Sequence, residues 1–323
     1  MSLPNRPLRI GTRGSALARW QTGRIRSLLA AAGFSAEPVE IKTTGDLTPE
    51  VPLSRIGSRA LFTKQIDDAL LAGRIDLAVH SLKDLPTRLP DGIVIGAVGE
   101  REDPRDALVG RASLSWQELP RGAVLATSSL RRRAQLLYHR PDLRIVDIRG
   151  NVDTRLAKLT ANPDWSGIVL ATAGLVRLGA ESRIGERLSP DLLLPAPGQG
   201  ALAITVRADD EPILELVRSA LHNPGTALTI SAERAFLAGL EGGCQVPIAA
   251  YAERQEGGGD MLLHGRVVAP DGRTLIEGRQ RRAVISEADA GELGSMLADE
   301  LLEQGAGEIL TRARAGAPAI SEP

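Results

Sequence analysis

The chain has 323 residues, 43% of them hydrophobic and 24% charged, a globular balance that excludes a disordered or collagen-like chain and at this length favours two or three domains. A formal net charge of −1 supplies no global field for DNA or a membrane, and an aromatic content of 2% argues against a binder that stacks single-stranded bases on rings. The cations are lopsided, 35 Arg against 4 Lys, and because arginine is the side chain for fork-like binding of carboxylate or phosphate, a polyanionic small ligand is one reading open before any motif is considered.

Leu8–Thr12 reads as a short strand, and Ser15 as the N-cap of a helix through Trp20, Ile25 and Leu29 that stops at Gly33. Val39–Ile41 alternates as a second strand. Leu61–Ala72 carries helical spacing and closes at Gly73. Ile75–Val79 is a buried-looking strand ending at His80-Ser81-Leu82-Lys83-Asp84, and Ile93–Val98 is another. The polar run Gly99–Asp106 reads as a linker. The rhythm then restarts with strand Val124–Thr127, a helix capped by Ser128 or Ser129, strand Arg144–Ile148, a helix near Val152–Leu159 and strand Ile168–Ala171. Strands alternating with helices in this way predict parallel sheets with crossover connections, in two α/β domains with a cleft between them. The final third differs. A helix over Thr226–Leu240 precedes strands Pro247–Ala252, Met261–Val268 and Thr274–Arg279, with a turn at Gly257-Gly258-Gly259, and helices Glu287–Glu303 and Gly307–Arg314 follow. That order is the signature of a separate small α+β domain.

Chemistry gathers at the predicted strand ends. Thr127-Ser128-Ser129-Leu130-Arg131-Arg132-Arg133 lies at a strand-to-helix junction, where hydroxyls and free backbone N–H groups make an anion site that arginines deepen. At most two of the three arginines can serve one ligand, and a solvated basic turn is the alternative. Arg149 precedes the next helix and Arg155 lies about one turn inside it, on the edge where open α/β sheets bind ligands. Arg13 after the first strand and Arg177 after Ala171-Thr172-Ala173-Gly174-Leu175 repeat the arrangement, although each alone is more often a surface ion-pair partner. If the backbone stays extended, Lys83 and Asp84 point to opposite sides. Asp84 is then a candidate general acid/base or stabiliser of a developing cation, with Lys83 gripping an anion; a strand-terminating turn built on Asp84 and Pro86 is the plainer reading.

The single cysteine, Cys244, excludes an internal disulfide and cysteine-based zinc sites. His80, His139, His222 and His264 lack metal-ligand spacing, so no metal is expected. Cys244 lies in the glycine-rich turn Glu241-Gly242-Gly243-Cys244-Gln245-Val246-Pro247, after a helix C-terminus whose dipole does not favour a thiolate. A thiol that turns over is disfavoured there, and a permanent covalent attachment is left open. The N-terminal residues do not read as a signal peptide, and no apolar run approaches the ~20 residues of a membrane span, so the expected address is the cytoplasm.

Taken in order, these segments resemble the porphobilinogen deaminase family. The matching pieces are Arg9–Ser15 with Trp20-Gln21, Thr44-Gly45-Asp46, Leu61–Lys64, Ala78–Pro86, Arg101–Asp106, Thr127–Arg132, Arg149–Leu156, Ala173–Leu178, Pro195–Gly200 and Glu241–Ile248. Each is weak alone; together they run in order and spacing from about residue 8 to about residue 315. The resemblance implies an α/β fold of two similar lobes like those of periplasmic binding proteins, plus a small α+β C-terminal domain. Residues 1–99 with 200–217 would form the first domain, 100–199 the second and 218–323 the third. It implies a dipyrromethane cofactor held by a thioether to Cys244, and a monomeric, cytoplasmic enzyme that acts on porphobilinogen and binds neither nucleic acid nor membrane. That enzyme joins four porphobilinogen molecules head to tail, releases ammonia each time and frees hydroxymethylbilane by hydrolysis, in tetrapyrrole and haem biosynthesis.

Asp84 falls on the family's catalytic aspartate, a buried carboxylate in this reading. Arg13, Ser15, Gln21, Ser81, Lys83, Thr127, Ser128, Ser129, Arg131, Arg132, Arg149, Arg155, Arg177 and Gln199 fall on its cofactor- and substrate-binding positions. Each pyrrole carries an acetate and a propionate, so negative charge grows with the chain and arginine forks suit it. The family's usual Gly-Gly-Lys-Gly-Leu-Phe-Val-Lys-Glu is here Gly57-Ser58-Arg59-Ala60-Leu61-Phe62-Thr63-Lys64-Gln65, with Arg55 and Arg59 in place of frequent lysines and two glycines lost. The rival readings are a non-catalytic binding protein for a polycarboxylate, which leaves Cys244 unexplained, an arginine-rich nucleic-acid module, and a Schiff-base enzyme using Lys83.

Overall fold

The computed structural model describes residues 3–43, 63–242, 246–255 and 259–315. Thr44-Gly45-Asp46, Gly57–Phe62, Cys244, Gly257-Gly258 and the Pro318–Pro323 tail lie outside the described residues. The described chain divides into two compact units. One takes in the residues up to 43, 63–102 and Gly200–Ala227; the other takes in Asp103–Gln199 and the residues from Leu228 on.

The first unit opens with β1 (Leu8–Thr12), α1 (Ala16–Ala31), β2 (Ala36–Glu40), α2 (Lys64–Leu71) and β3 (Leu77–Ser81). A 3-10 turn over Leu82–Asp84 leads on to β4 (Ile93–Val98). Its sheet is ordered β2-β1-β3-β10-β4, and β10 is Leu202–Arg207. Ser15 caps α1 as expected, accepting from the Ala18 N–H. The alternation of a strand decides the layers. Leu8, Ile10, Leu77 and Val79 pack with Ile25 and Leu29 of α1 on one face, and Ala78 packs with Ile66 and Leu70 of α2 on the other. Pro38, opposite Ile10, is tolerated because β2 is an edge strand with β1 as its partner.

The second unit begins with β5 (Asp106–Val109), β6 (Val124–Ala126), α3 (Leu130–His139), β7 (Arg144–Val146) and α4 (Val152–Ala161). It continues through β8 (Gly167–Ala171), α5 (Thr172–Arg177) and β9 (Glu186–Arg187), and these strands form a sheet ordered β7-β6-β8-β5-β9. After β10 come α6 (Glu211–Leu221), which packs on the first sheet, and α7 (Pro224–Gly239). The remaining chain is the antiparallel meander of β11 (Ile248–Arg254), β12 (Asp260–Val268) and β13 (Leu275–Ala283), followed by α8 (Glu287–Glu303) and α9 (Ala306–Ala315). Phe236 of α7 is fully buried in the core over this meander with Leu263, Leu297 and Leu301.

Two expectations are corrected. The five-stranded sheets are mixed: β10 runs antiparallel to β3 and β4, and β5 runs antiparallel to β8 and β9. Each antiparallel strand follows directly on a crossing between units, so it enters a sheet whose parallel strands come from elsewhere in the chain. Asp106 is not linker but the first residue of β5, and it is fully buried.

Candidate functional site

In the first unit the carboxyl ends of β1 and β3 lie side by side, because those strands pair in parallel. Arg13 follows β1, and Ser15 opens α1. Gln21, buried on α1, donates from Nε2 to Ser81 Oγ at 2.8 Å and ties the helix to the end of β3. Lys83 and Asp84 do not continue an extended strand. They sit in the 3-10 turn, closed by Leu85 N–H on Leu82 O, while Leu82 N–H donates to Ala201 O at 3.0 Å. The turn buries Leu82 and leaves Asp84 exposed, so the expected buried carboxylate is an accessible one. Behind it, His80 is buried with its Nε2 3.1 Å from Thr205 Oγ1, and burial, aided by the Arg13 charge, pulls its pKa down to about 4.

In the second unit the carboxyl ends of β6, β7 and β8 form one edge, since β6 pairs in parallel with both of the others. Ser129 caps α3, accepting from Arg132 N–H, and Thr127 Oγ1 accepts from Ser129 N–H. Ser128 Oγ both donates to Ile148 O at 2.8 Å and accepts from Ile148 N–H at 3.0 Å, locking the β6 and β7 ends together. Arg149 and Arg155 then share the turn around Gly150, whose φ of 111° excludes most side chains. Arg155 Nε donates to Gly150 O at 2.7 Å. Arg149 keeps Nη1 buried with no hydrogen-bond partner, and desolvation lowers its pKa. An orphaned guanidinium nitrogen is costly and would be relieved by an incoming anion. Arg177, at the end of α5, is buried.

The Thr127–Arg133 cluster separates along the helix. Arg133 is exposed, whereas Arg131 and Arg132 turn inward onto Asp106. Arg132 donates from Nε and Nη2 to Asp106 Oδ1 at 3.0 and 2.7 Å and from Nη1 to Val169 O. Arg131 Nη1 lies 2.7 Å from Asp106 Oδ2 and donates to Leu194 O; burial lowers its pKa against the pull of that carboxylate. Gln199 Nε2 completes the group at 3.0 Å from Asp106 Oδ1, with a second bond to Pro104 O. Asp106 is thus the organising residue that sequence reasoning missed. The signal available was the apolar Ala107-Leu108-Val109 behind it, which marks a strand start. Among the described residues no cluster of three or more His, Cys, Asp or Glu suits a metal ion. Cys244 lies outside the described residues.

The chain is matched over residues 8–215 by the family described as porphobilinogen deaminase, dipyromethane cofactor binding domain, and over 227–303 by the porphobilinogen deaminase C-terminal domain. It is 53% identical over 302 residues to the porphobilinogen deaminase of Rubrobacter xylanophilus, covering 93% of this chain and 95% of that protein. The corresponding protein of Desulforudis audaxviator is 49% identical over 313 residues, 95% of this chain and 98% of its own length. Among solved structures it is similar to a nutrient binding protein from Burkholderia cenocepacia bound to methionine, at 16% identity and a TM-score of 0.43, covering 68% of this chain and 93% of that one.

Proposed function

This chain belongs to the porphobilinogen deaminase family, and from that premise we propose how its own residues carry the reaction. The enzyme is a transferase that deaminates porphobilinogen and joins four molecules head to tail on a dipyrromethane cofactor, then releases hydroxymethylbilane by hydrolysis. Two pyrroles, each with an acetate and a propionate, need several charge-assisted donors. The second unit's strand edge fits that need, with the buried, unpartnered Arg149 nitrogen beside Arg155 and the Ser129-capped start of α3, while Ser128 holds the β6 and β7 ends in place. That nitrogen is the observation that carries the reading. When bound, the dipyrromethane supplies the terminal pyrrole onto which the first substrate is joined. Cys244 holds it through a thioether.

Loss of ammonia from porphobilinogen leaves a methylene cation delocalised into its pyrrole ring. The Asp84 carboxylate holds the ring N–H and keeps a negative charge beside that cation, and it accepts the proton released when the new carbon–carbon bond restores aromaticity. Its position on a short turn pinned by Ala201 fixes the carboxylate without burying it. Lys83, Arg13, Ser15, Ser81 and Gln21 bind substrate carboxylates at the first unit's edge. Thr127, Ser128, Ser129, Arg131, Arg132, Arg149, Arg155, Arg177 and Gln199 serve the growing chain at the second. We further infer a cytoplasmic monomer built of three domains, 1–99 with 200–217, 100–199 and 218–323; among the described residues no helix is long and apolar enough to cross a membrane.

The test is the intact mass of the purified protein before and after porphobilinogen is added. An adduct lost in Cys244→Ser, followed by regular increments in the wild type, is expected; active protein at the bare sequence mass overturns the assignment. Asp84→Asn should retain the adduct-bearing fold yet lose about a hundredfold or more in turnover, and a near-normal rate removes Asp84 from the chemistry.

A further inference from the structure

Glu233, on α7, is fully buried. Its two carboxylate oxygens accept from separate backbone N–H groups of the second unit. Gly198 N–H donates to Oε2 at 2.7 Å, and Ala252 N–H of β11 donates to Oε1 at 2.9 Å. One side chain thus joins the C-terminal sheet to the segment that carries Gln199. That segment is stitched down along its length. Ala250 N–H donates to Pro195 O at 3.1 Å. Leu194 exchanges two bonds with the Gln135 amide, and Arg266 of β12 donates to Gln135 Oε1 and to Asp191 O. Both ends of the segment then reach the arginine pair, through Arg131 Nη1 on Leu194 O and through Gln199 Nε2 on Asp106 Oδ1.

Two guanidiniums and an amide meet on the Asp106 carboxylate. Oδ2 lies against Arg131, and Oδ1 takes two nitrogens of Arg132 together with the Gln199 amide. The amide shares Oδ1 with Arg132, so its position bears on where the carboxylate sits between the two guanidiniums, which are also tied to Leu194 O and Val169 O. A buried carboxylate is costly unless it is hydrogen-bonded, and an apolar side chain at this place would pack α7 on β11 without that cost. Such a residue would lose the acceptors of both Gly198 and Ala252, and with them the direction given to each.

We propose that Glu233 is a positioning residue for the deaminase reaction: by holding Gly198 and Ala252 on one carboxylate it sets the Gln199 amide on Asp106 and so aims Arg131 and Arg132. The inference rests on the proposed role of those two arginines in holding pyrrole carboxylates. Glu233→Gln keeps the size but presents an NH2 group to one of the two backbone donors, leaving that donor without an acceptor.

In cofactor-bearing Glu233→Gln protein, amide hydrogen exchange should accelerate over 128–135 as well as over 196–199. The KM for porphobilinogen should rise about tenfold while kcat stays within about twofold. Adding Gln199→Ala should raise KM little further, the non-additivity of two changes in one network. Exchange confined to 196–199 and 250–252, an unchanged KM, or additive effects in the double variant would each overturn the proposal. Should Glu233→Gln fail to fold, Glu233→Asp, which keeps both acceptors and shortens the arm by one methylene, is read by the same three measurements. Wild-type protein run in parallel separates the layers. A wild type that makes no product from porphobilinogen sinks the reaction, whereas normal wild-type kinetics beside unchanged variant kinetics sinks the positioning role alone.

Discussion

Asp106 and His80 illustrate two ways in which a buried polar side chain binds function to stability. Two guanidiniums and an amide converge on the Asp106 carboxylate. Asp106→Asn would leave both arginines buried without a counter-charge, at a cost of about 3 kcal/mol or more, measurable as a lower denaturant midpoint with an unchanged slope. His80 acts in the opposite sense, since it is buried neutral. Its folded pKa of about 4 lies below the usual 6.5, so between those values the unfolded chain binds more protons than the folded one. Stability is therefore full above pH 6.5 and falls by about 3 kcal/mol as pH drops to 4, a loss that His80→Gln should remove from the pH dependence of the unfolding free energy. Residue types at the strand ends were legible because hydroxyls and arginines stand out next to short apolar runs. Their partners were not. Nothing near Arg131 in sequence points to a carboxylate 25 positions earlier, and an aspartate closing a polar run looks solvated until its strand pairing is known.

Elements with local punctuation were legible in outline. Ser15 and Ser129 mark helix starts with their own side chains, and Gly33 and Gly73, both at positive φ, mark helix ends. The extended reading of Lys83–Asp84 gave way to a 3-10 turn, because Leu82 is drawn into the core and the backbone must bend after it. β10 and α6 are not legible as elements in the sequence, because the aliphatic strand after Pro195–Gly200 carries no turn residue or cap of its own to mark it. That entry point is tightly built. Gly200 has φ 94°, accepts from Glu102 N–H at 3.1 Å, and would place a Cβ 2.2 Å from Glu102 O. The clash is with backbone, which cannot turn aside. Gly200→Ala should cost at least about 2 kcal/mol and lower the melting temperature even without substrate; an unchanged melting curve would mean that the turn rearranges freely.

At the scale of the molecule, alternating strands and helices announced two α/β sheets followed by an α+β region, and the strand orders β2-β1-β3-β10-β4 and β7-β6-β8-β5-β9 bear out that class. The antiparallel strand inside each sheet was hidden because periodicity reports what a strand faces and not which strand lies beside it. A chain ending at Gln199 would lack β10, leaving β3 and β4 as unpaired edges with their backbone donors and acceptors exposed. Such a fragment should show no cooperative unfolding of the first sheet in calorimetry, and a sharp transition for that sheet would refute the dependence.

The central place of β10 also sets a timetable for biosynthesis. Translation at roughly 5–20 residues per second leaves the amino-terminal hundred residues waiting many seconds for the strand that joins β3 to β4. Meanwhile the strands of the second sheet, β5 to β9, have already left the ribosome as one continuous stretch. The nascent chain therefore has every strand of its second sheet in hand before the return strand of the first emerges.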